Sequence, residues 1–163
     1  MPNHCHNRVT FYSGGNDTDE TRAQIAKLKQ IFEDESTFGQ IIPEPDWANT
    51  PLLTSDNHYG TKYGNDGELP IPEKHNYGVT SRFQSTGIAD QRWYDWRLQN
   101  WDTKWDAYDV QVDGGYDDDE ITVEFNTAWS PPEAICSAIR EQYPDLAVSW
   151  FYDEPGCEIA GYL

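Results

Sequence analysis

The stretch Cys5-His6-Asn7-Arg8-Val9-Thr10-Phe11-Tyr12 decides the fold. Cys5, Asn7, Val9 and Phe11 alternate with His6, Arg8, Thr10 and Tyr12, the period of two that marks a strand with one buried face. Ser13-Gly14-Gly15-Asn16 turns the chain. Asp17 is then placed to cap a helix with Glu20 three residues on, and Ile25, Leu28, Ile31 and Phe32 form the apolar stripe of that helix as far as Asp34. A strand followed directly by an amphipathic helix opens a layered α+β domain.

The C-terminal half repeats the theme. Trp105, Ala107, Asp109, Gln111 and Asp113 alternate with Asp106, Tyr108, Val110 and Val112, and Gly114-Gly115 turns that run into a hairpin whose returning apolar face is Ile121, Val123 and Phe125. Ser130-Pro131-Pro132-Glu133 reads as a helix start, with Ser130 as N-cap, Pro131 in the first turn and Glu133 reaching back. Ile135, Ala138, Ile139 and Tyr143 line one face of this helix before Pro144 ends it. Leu146–Tyr152 and Cys157–Tyr162 close the chain as two strands around Asp153-Glu154-Pro155-Gly156. The expected class is α+β, a ferredoxin-like split βαβ sandwich: an antiparallel sheet with two helices on one face, a long insertion and an extra C-terminal hairpin strand.

Between the two halves, Phe38–Ile42 is a short apolar segment stopped by Pro43. From about 44 to 87 prolines and glycines recur without a period, which predicts an irregular insertion within a single domain spanning 1–163. Ile88–Trp101 regains helical spacing, with Tyr94, Leu98 and Trp101 on one face and Trp93, Trp96, Arg97 and Asn100 on another.

Charge is the dominant compositional feature. The chain of 163 residues carries 11 basic and 29 acidic residues, a net charge of −18, and residues 93–163 alone hold 3 basic and 16 acidic residues. Such a field repels nucleic acid and anionic lipid, so neither is an expected direct partner. The three cysteines, Cys5, Cys136 and Cys157, have no CxxC spacing and read as buried free thiols of a reducing cytoplasm, although one pair meeting in space would bridge. No run approaches the roughly 20 apolar residues of a membrane span, and the opening residues lack the basic-then-apolar pattern of a signal peptide. A soluble protein of the host cell cytosol is expected, with its oligomeric state left open.

Three stretches resemble a known family. Met1-Pro2-Asn3-His4-Cys5-His6-Asn7-Arg8-Val9 is similar to an MPNxCxNxV opening. Trp93-Tyr94-Asp95-Trp96 with Asn100-Trp101-Asp102-Thr103-Lys104-Trp105-Asp106-Ala107-Tyr108 is similar to a WYDW…NWGTKWDAY block, with Asp102 standing where the pattern has Gly. Thr127-Ala128-Trp129-Ser130-Pro131-Pro132 and Gly156-Cys157-Glu158-Ile159-Ala160-Gly161-Tyr162 are similar to TAWSPP and GC…AGY elements. The chain thereby resembles the YubB-like family of plasmid and phage proteins of unknown function. That resemblance implies a ferredoxin-like fold and a mobile-element origin, and implies no activity.

Several clusters invite a chemical role. His4 and His6 share one face of a strand, a spacing that can chelate zinc, but no further paired Cys or His completes a site, so neither metal nor cofactor is expected. The Asp113–Glu120 loop is rich in carboxylates yet departs from the spacing of a calcium loop. GxSxG, P-loop, HExxH and GxGxxG motifs are missing, and with 29 carboxylates a pair such as Asp106 and Asp109 arises by chance. The reading is therefore non-enzymatic. Asp106, Asp109, Asp113, Asp117, Asp118, Asp119 and Glu120 are expected to bind the basic cleft of a host protein or ribonucleoprotein, in the manner of a DNA mimic that inhibits a restriction or CRISPR-type defence complex. The alternatives are a metal-assisted enzyme of unknown substrate, or a regulatory or assembly module docking through a Trp-rich surface at Trp93 and Trp96.

Overall fold

A computed structural model of the protein describes residues 3–47 and 92–163. The chain divides into two units, Met1–Pro43 with Arg97–Leu163, and Glu44–Trp96. Nearly all of the expected 44–87 insertion, with His58 and His75, lies outside the described residues, as does the 88–91 start of the expected aromatic helix.

The first unit is built on a five-stranded antiparallel sheet. In chain order the elements are β1 (His4–Tyr12), α1 (Asp19–Glu33), α2 (Thr37–Ile41), α3 (Arg92–Asn100, which begins in the second unit), β2 (Tyr108–Asp113), β3 (Glu120–Ala128), α4 (Glu133–Gln142), β4 (Ala147–Glu154) and β5 (Ile159–Tyr162). The strands lie in the order β2-β3-β1-β4-β5, with each neighbouring pair antiparallel. β1 and β2 flank β3, and β3 and β4 flank β1, so two split βαβ units interlock through α1 and α4. β5 is the added strand beyond the ferredoxin-like four.

The period of two read from Cys5–Tyr12 holds along the whole of β1, where Cys5, Asn7, Val9 and Phe11 are buried. Opposite them Ile121, Val123 and Phe125 of β3 are at most 1 % exposed, and Trp150 of β4 is fully buried. Ile25, Leu28, Ile31 and Phe32 of α1 cover this face, joined by Ile135, Cys136 and Ile139 of α4. Phe125 is the hub, with its ring 5.5 Å from Phe32, 6.0 Å from Phe38 and 5.7 Å from Trp150. Burying each such side chain contributes about 1.5–3 kcal/mol. The amide of Asn7, enclosed in this core, donates to Cys5 O and Thr127 Oγ1 and accepts from Trp150 Nε1, which satisfies it.

Several local expectations are corrected. Thr18, not Asp17, caps α1 in a reciprocal box with Thr21 in place of Glu20, while the Asp17 carboxylate is held by Arg22 at 2.6 Å. At α4 the N-cap is Pro132, with no side-chain cap of its own. The Asp102 carboxylate instead accepts from Ala134 N at 2.8 Å, and the Ser130 hydroxyl donates to Asp102 O. Asp102 sits at φ 61°, a backbone that suits the Gly of the family pattern and that Asp tolerates better than most residues. Phe38–Ile42 is largely helical, falling in the five-residue α2 and its C-cap Ile42. β2 starts at Tyr108 rather than Trp105, and a bulge between Tyr108 and Gln111, with Asp109 at φ 53°, shifts its register against β3. Cys5 and Cys136 are buried free thiols as expected, but Cys157 is exposed.

Candidate partner-binding surface

The hairpin between β2 and β3 opens at Gly114, whose φ of 120° favours glycine. A Cβ there would meet Ile121 Cγ2 at 2.8 Å. Within the loop the Asp118 carboxylate turns inward to accept from Gly115 N at 2.5 Å, closing the turn. Asp113, Tyr116, Asp117, Asp118, Asp119 and Glu120 are all exposed.

Three contacts fix this loop against the body of the first unit. Arg22, oriented by its pair with Asp17, donates through Nη1 to Asp117 O. Ser13 N donates to Asp119 O at 3.0 Å. The Tyr116 hydroxyl donates to the Glu33 carboxylate at the end of α1, and Lys29 both ion-pairs with Glu33 at 2.8 Å and lies 5.1 Å over the Tyr116 ring. Lys29 and the Tyr116 hydroxyl hold the Glu33 carboxyl below its usual range, and Glu33 in turn raises Tyr116. Because Tyr116 ties the hairpin to Glu33, the acidic loop continues into Glu33-Asp34-Glu35. These lie at the negative pole of α1, whose last turn has no basic residue.

The other sequence-derived residues are placed differently. Asp106 is half-buried, and its Oδ1 accepts from Phe38 N at 2.8 Å and Ala107 N at 2.7 Å; burial raises its carboxyl above the usual range. Asp109 is exposed on the bulge, where its Oδ2 accepts from Asn126 at 3.3 Å. Trp93 and Trp96 belong to the second unit and are half-buried. There the Trp96 ring meets Trp47 edge-on at 6.4 Å, Arg92 stacks 5.2 Å from the Trp47 ring, and Trp93 meets Tyr94 at 5.7 Å. Trp101, by contrast, is buried in the first unit and donates from Nε1 to Ile42 O.

His4 and His6 do share the uncovered face of β1. Nδ1 of His4 is 2.5 Å from the Tyr108 hydroxyl, and Nδ1 of His6 is 2.7 Å from Asn126 Oδ1. Among the described residues no group of three or more His, Cys, Asp or Glu is arranged to hold a metal ion. No helix among them is long and apolar enough to cross a membrane.

Sequence reading missed the tethers Arg22 and Tyr116 and the contribution of Glu33-Asp34-Glu35. The Glu33-Asp34-Glu35 run was visible as three consecutive acids at a helix end. The tethers had no local signature, since each acts on a partner distant in sequence.

The sheet order and the acidic surface define the class: a ferredoxin-like α+β protein with an added edge strand and a carboxylate-rich hairpin. Residues 100–163 match the family model described as "Ferredoxin-like domain in Api92-like protein". The matched segment contains most of the central aromatic block and all of the TAWSPP and GC…AGY stretches. A solved structure, described as a protein api92 from Yersinia pseudotuberculosis, is 9% identical and aligns over 99% of this chain and 93% of that one, with a TM-score of 0.47. No curated protein matches the chain.

Proposed function

We propose that this mobile-element protein is a non-enzymatic inhibitor that binds the DNA-holding cleft of a host defence complex of restriction or CRISPR type. The observation that carries the reading is the tethered hairpin. Its backbone is held by Arg22 and Ser13, its tip is held by Tyr116 on Glu33, and its carboxylates stay at the surface. A loop already ordered before binding loses less conformational entropy on association than a free acidic tail. Duplex DNA presents one negative charge per about 1.7 Å of axis, and a cleft lined with Lys and Arg to grip it also attracts a fixed row of carboxylates. Asp113, Asp117, Asp119 and Glu120 form the main contact in this reading, extended by Glu33-Asp34-Glu35. Asp118 shapes the turn.

The test is DNA cleavage by purified restriction and CRISPR-type complexes with the wild-type protein and with a variant carrying Asp113→Asn, Asp117→Asn, Asp119→Asn and Glu120→Gln. Inhibition by the wild type, relieved by duplex DNA competitor and by about 1 M salt, where the Debye length is about 3 Å, is the expected result. Equal inhibition by the neutralised variant, or binding indifferent to that salt, would show that charge mimicry is wrong.

A further inference from the structure

The outer side of β2 carries a second recognition feature. β2 pairs with β3 on its inner side, and among the described residues no strand lies on its outer side. Such an edge presents backbone N–H and C=O groups able to pair with another extended chain. Alongside it runs a groove of about 420 Å³ between β2 and the end of α1, lined by Phe32, Val110 and Val112 and by Glu33, Asp34 and Glu35. Val112 lies opposite the fully buried Val123, so this parity of β2 faces the helix layer, whereas Gln111 and Asp113 belong to the other parity. The groove thus has apolar side chains along its strand wall and three acids on its helix wall, on the negative pole of a helix.

We propose that this groove is a strand-addition site for an extended segment of the partner in which apolar and Lys or Arg residues alternate. Added beside Val110–Asp113, such a segment pairs its backbone with the β2 edge. It directs one parity of apolar side chains onto Phe32, Val110 and Val112, and sets the basic parity beside Asp109 and Asp113, with Glu35 at the rim for a terminal cation. Backbone pairing supplies affinity and the side-chain pockets supply selectivity. The inference rests on the reading that the protein acts by binding a basic partner, and it places part of that contact away from the hairpin tip.

The probe is a capped synthetic peptide alternating Val and Lys, titrated into the full-length protein with backbone amide exchange as the readout. Three comparisons accompany it: the same peptide N-methylated at alternate amides, a Val/Glu peptide, and a hairpin variant carrying Asp117→Asn, Asp119→Asn and Glu120→Gln, with Asp113 of β2 left intact. The expected result is slowed exchange confined to β2 amides, about tenfold weaker binding on N-methylation because strand pairing is blocked, and no binding of the Val/Glu peptide. The hairpin variant should keep the N-methylation penalty. Val112→Arg, which crowds the groove, should weaken binding as well. Because N-methylation leaves the protein unaltered, that arm stands even where Val112→Arg does not fold. Failure of the Val/Lys peptide to bind at millimolar concentration, or equal binding of its N-methylated form, overturns strand addition. If binding then vanishes only in the hairpin variant, the mimic reading survives without the groove. If the groove binds but no cleavage complex is inhibited, the mimic reading falls alone.

Discussion

The Asp102 carboxylate accepts a hydrogen bond from Ala134 N at 2.8 Å, so α4 is capped by a side chain 32 residues upstream rather than by its own flanking Ser130. The same residue holds φ 61°, and its carbonyl accepts from the Ser130 hydroxyl. One position therefore joins the turn after Trp101 to the start of α4.

Replacing Asp102 with Ala removes the cap while leaving a Cβ in the left-handed region. A loss of about 1–2 kcal/mol is expected in denaturant unfolding. Asp102→Gly also loses the cap but relieves the backbone strain, so it should be the milder change. A Gly variant less stable than the Ala variant would show that the left-handed backbone carries no strain here, and an Ala variant as stable as wild type would show that the carboxylate is not what the position requires.

Tyr116→Phe should release the hairpin tip without unfolding the protein. Backbone amides of residues 115–119 are expected to exchange faster, while those of Val123 and Phe125 in the core remain protected. The raised Tyr116 phenol favours its protonated form in the folded state, so its contribution is present below the usual tyrosine range and lost as pH rises through the folded value. Glu33→Gln should accordingly return the phenol toward its usual titration, followed by phenolate absorbance.

Asp106 has the opposite character to the exposed acids. Desolvation raises its carboxyl, so the folded state binds that proton more tightly; its contribution to stability is greatest below the usual aspartate range and is lost as pH rises through the folded value. Asp106→Asn keeps an oxygen for Phe38 N and Ala107 N and removes the buried charge. The Asn variant should gain stability relative to wild type as pH rises from the usual aspartate range through the folded value. Asp106→Ala leaves those two N–H groups without their acceptor and should cost about 1–3 kcal/mol at all pH. A wild-type advantage over Asn that grows with pH would contradict the assignment.

The thiols should react in a fixed order. Burial pushes Cys5 up to about 11 and raises Cys136, whereas Cys157 is exposed but raised by its hydrogen bond to Glu154. A disulfide reagent near neutral pH should label only Cys157 in the native protein, and all three thiols after denaturation. Glu154→Gln retains an acceptor for the turn and removes the charge, so labelling of Cys157 should accelerate. Glu154 is itself held low, chiefly by Cys157, so its contribution is present above the usual glutamate range and lost as pH falls through the folded value.

The sequence by itself determined the strand and helix order, the buried face of β1, the stripe of α1 and the apolar face of β3. Each is a short-range periodicity that must match the layer it packs into, and a shift of one residue along β1 would expose Val9 and Phe11. The acidic hairpin was legible for a similar reason, since Gly114-Gly115 and the run of acids are contiguous. Tertiary structure alone decided which carboxylates are surface and which are structural. Asp106 meets Phe38 across 68 residues, Tyr116 meets Glu33 across 83, and Asp102 reaches Ala134 across 32. A carboxylate is an equally good acceptor for a backbone N–H and an equally good surface charge. Only the position of the chain's other segments, fixed by burial of the core, selects between those states.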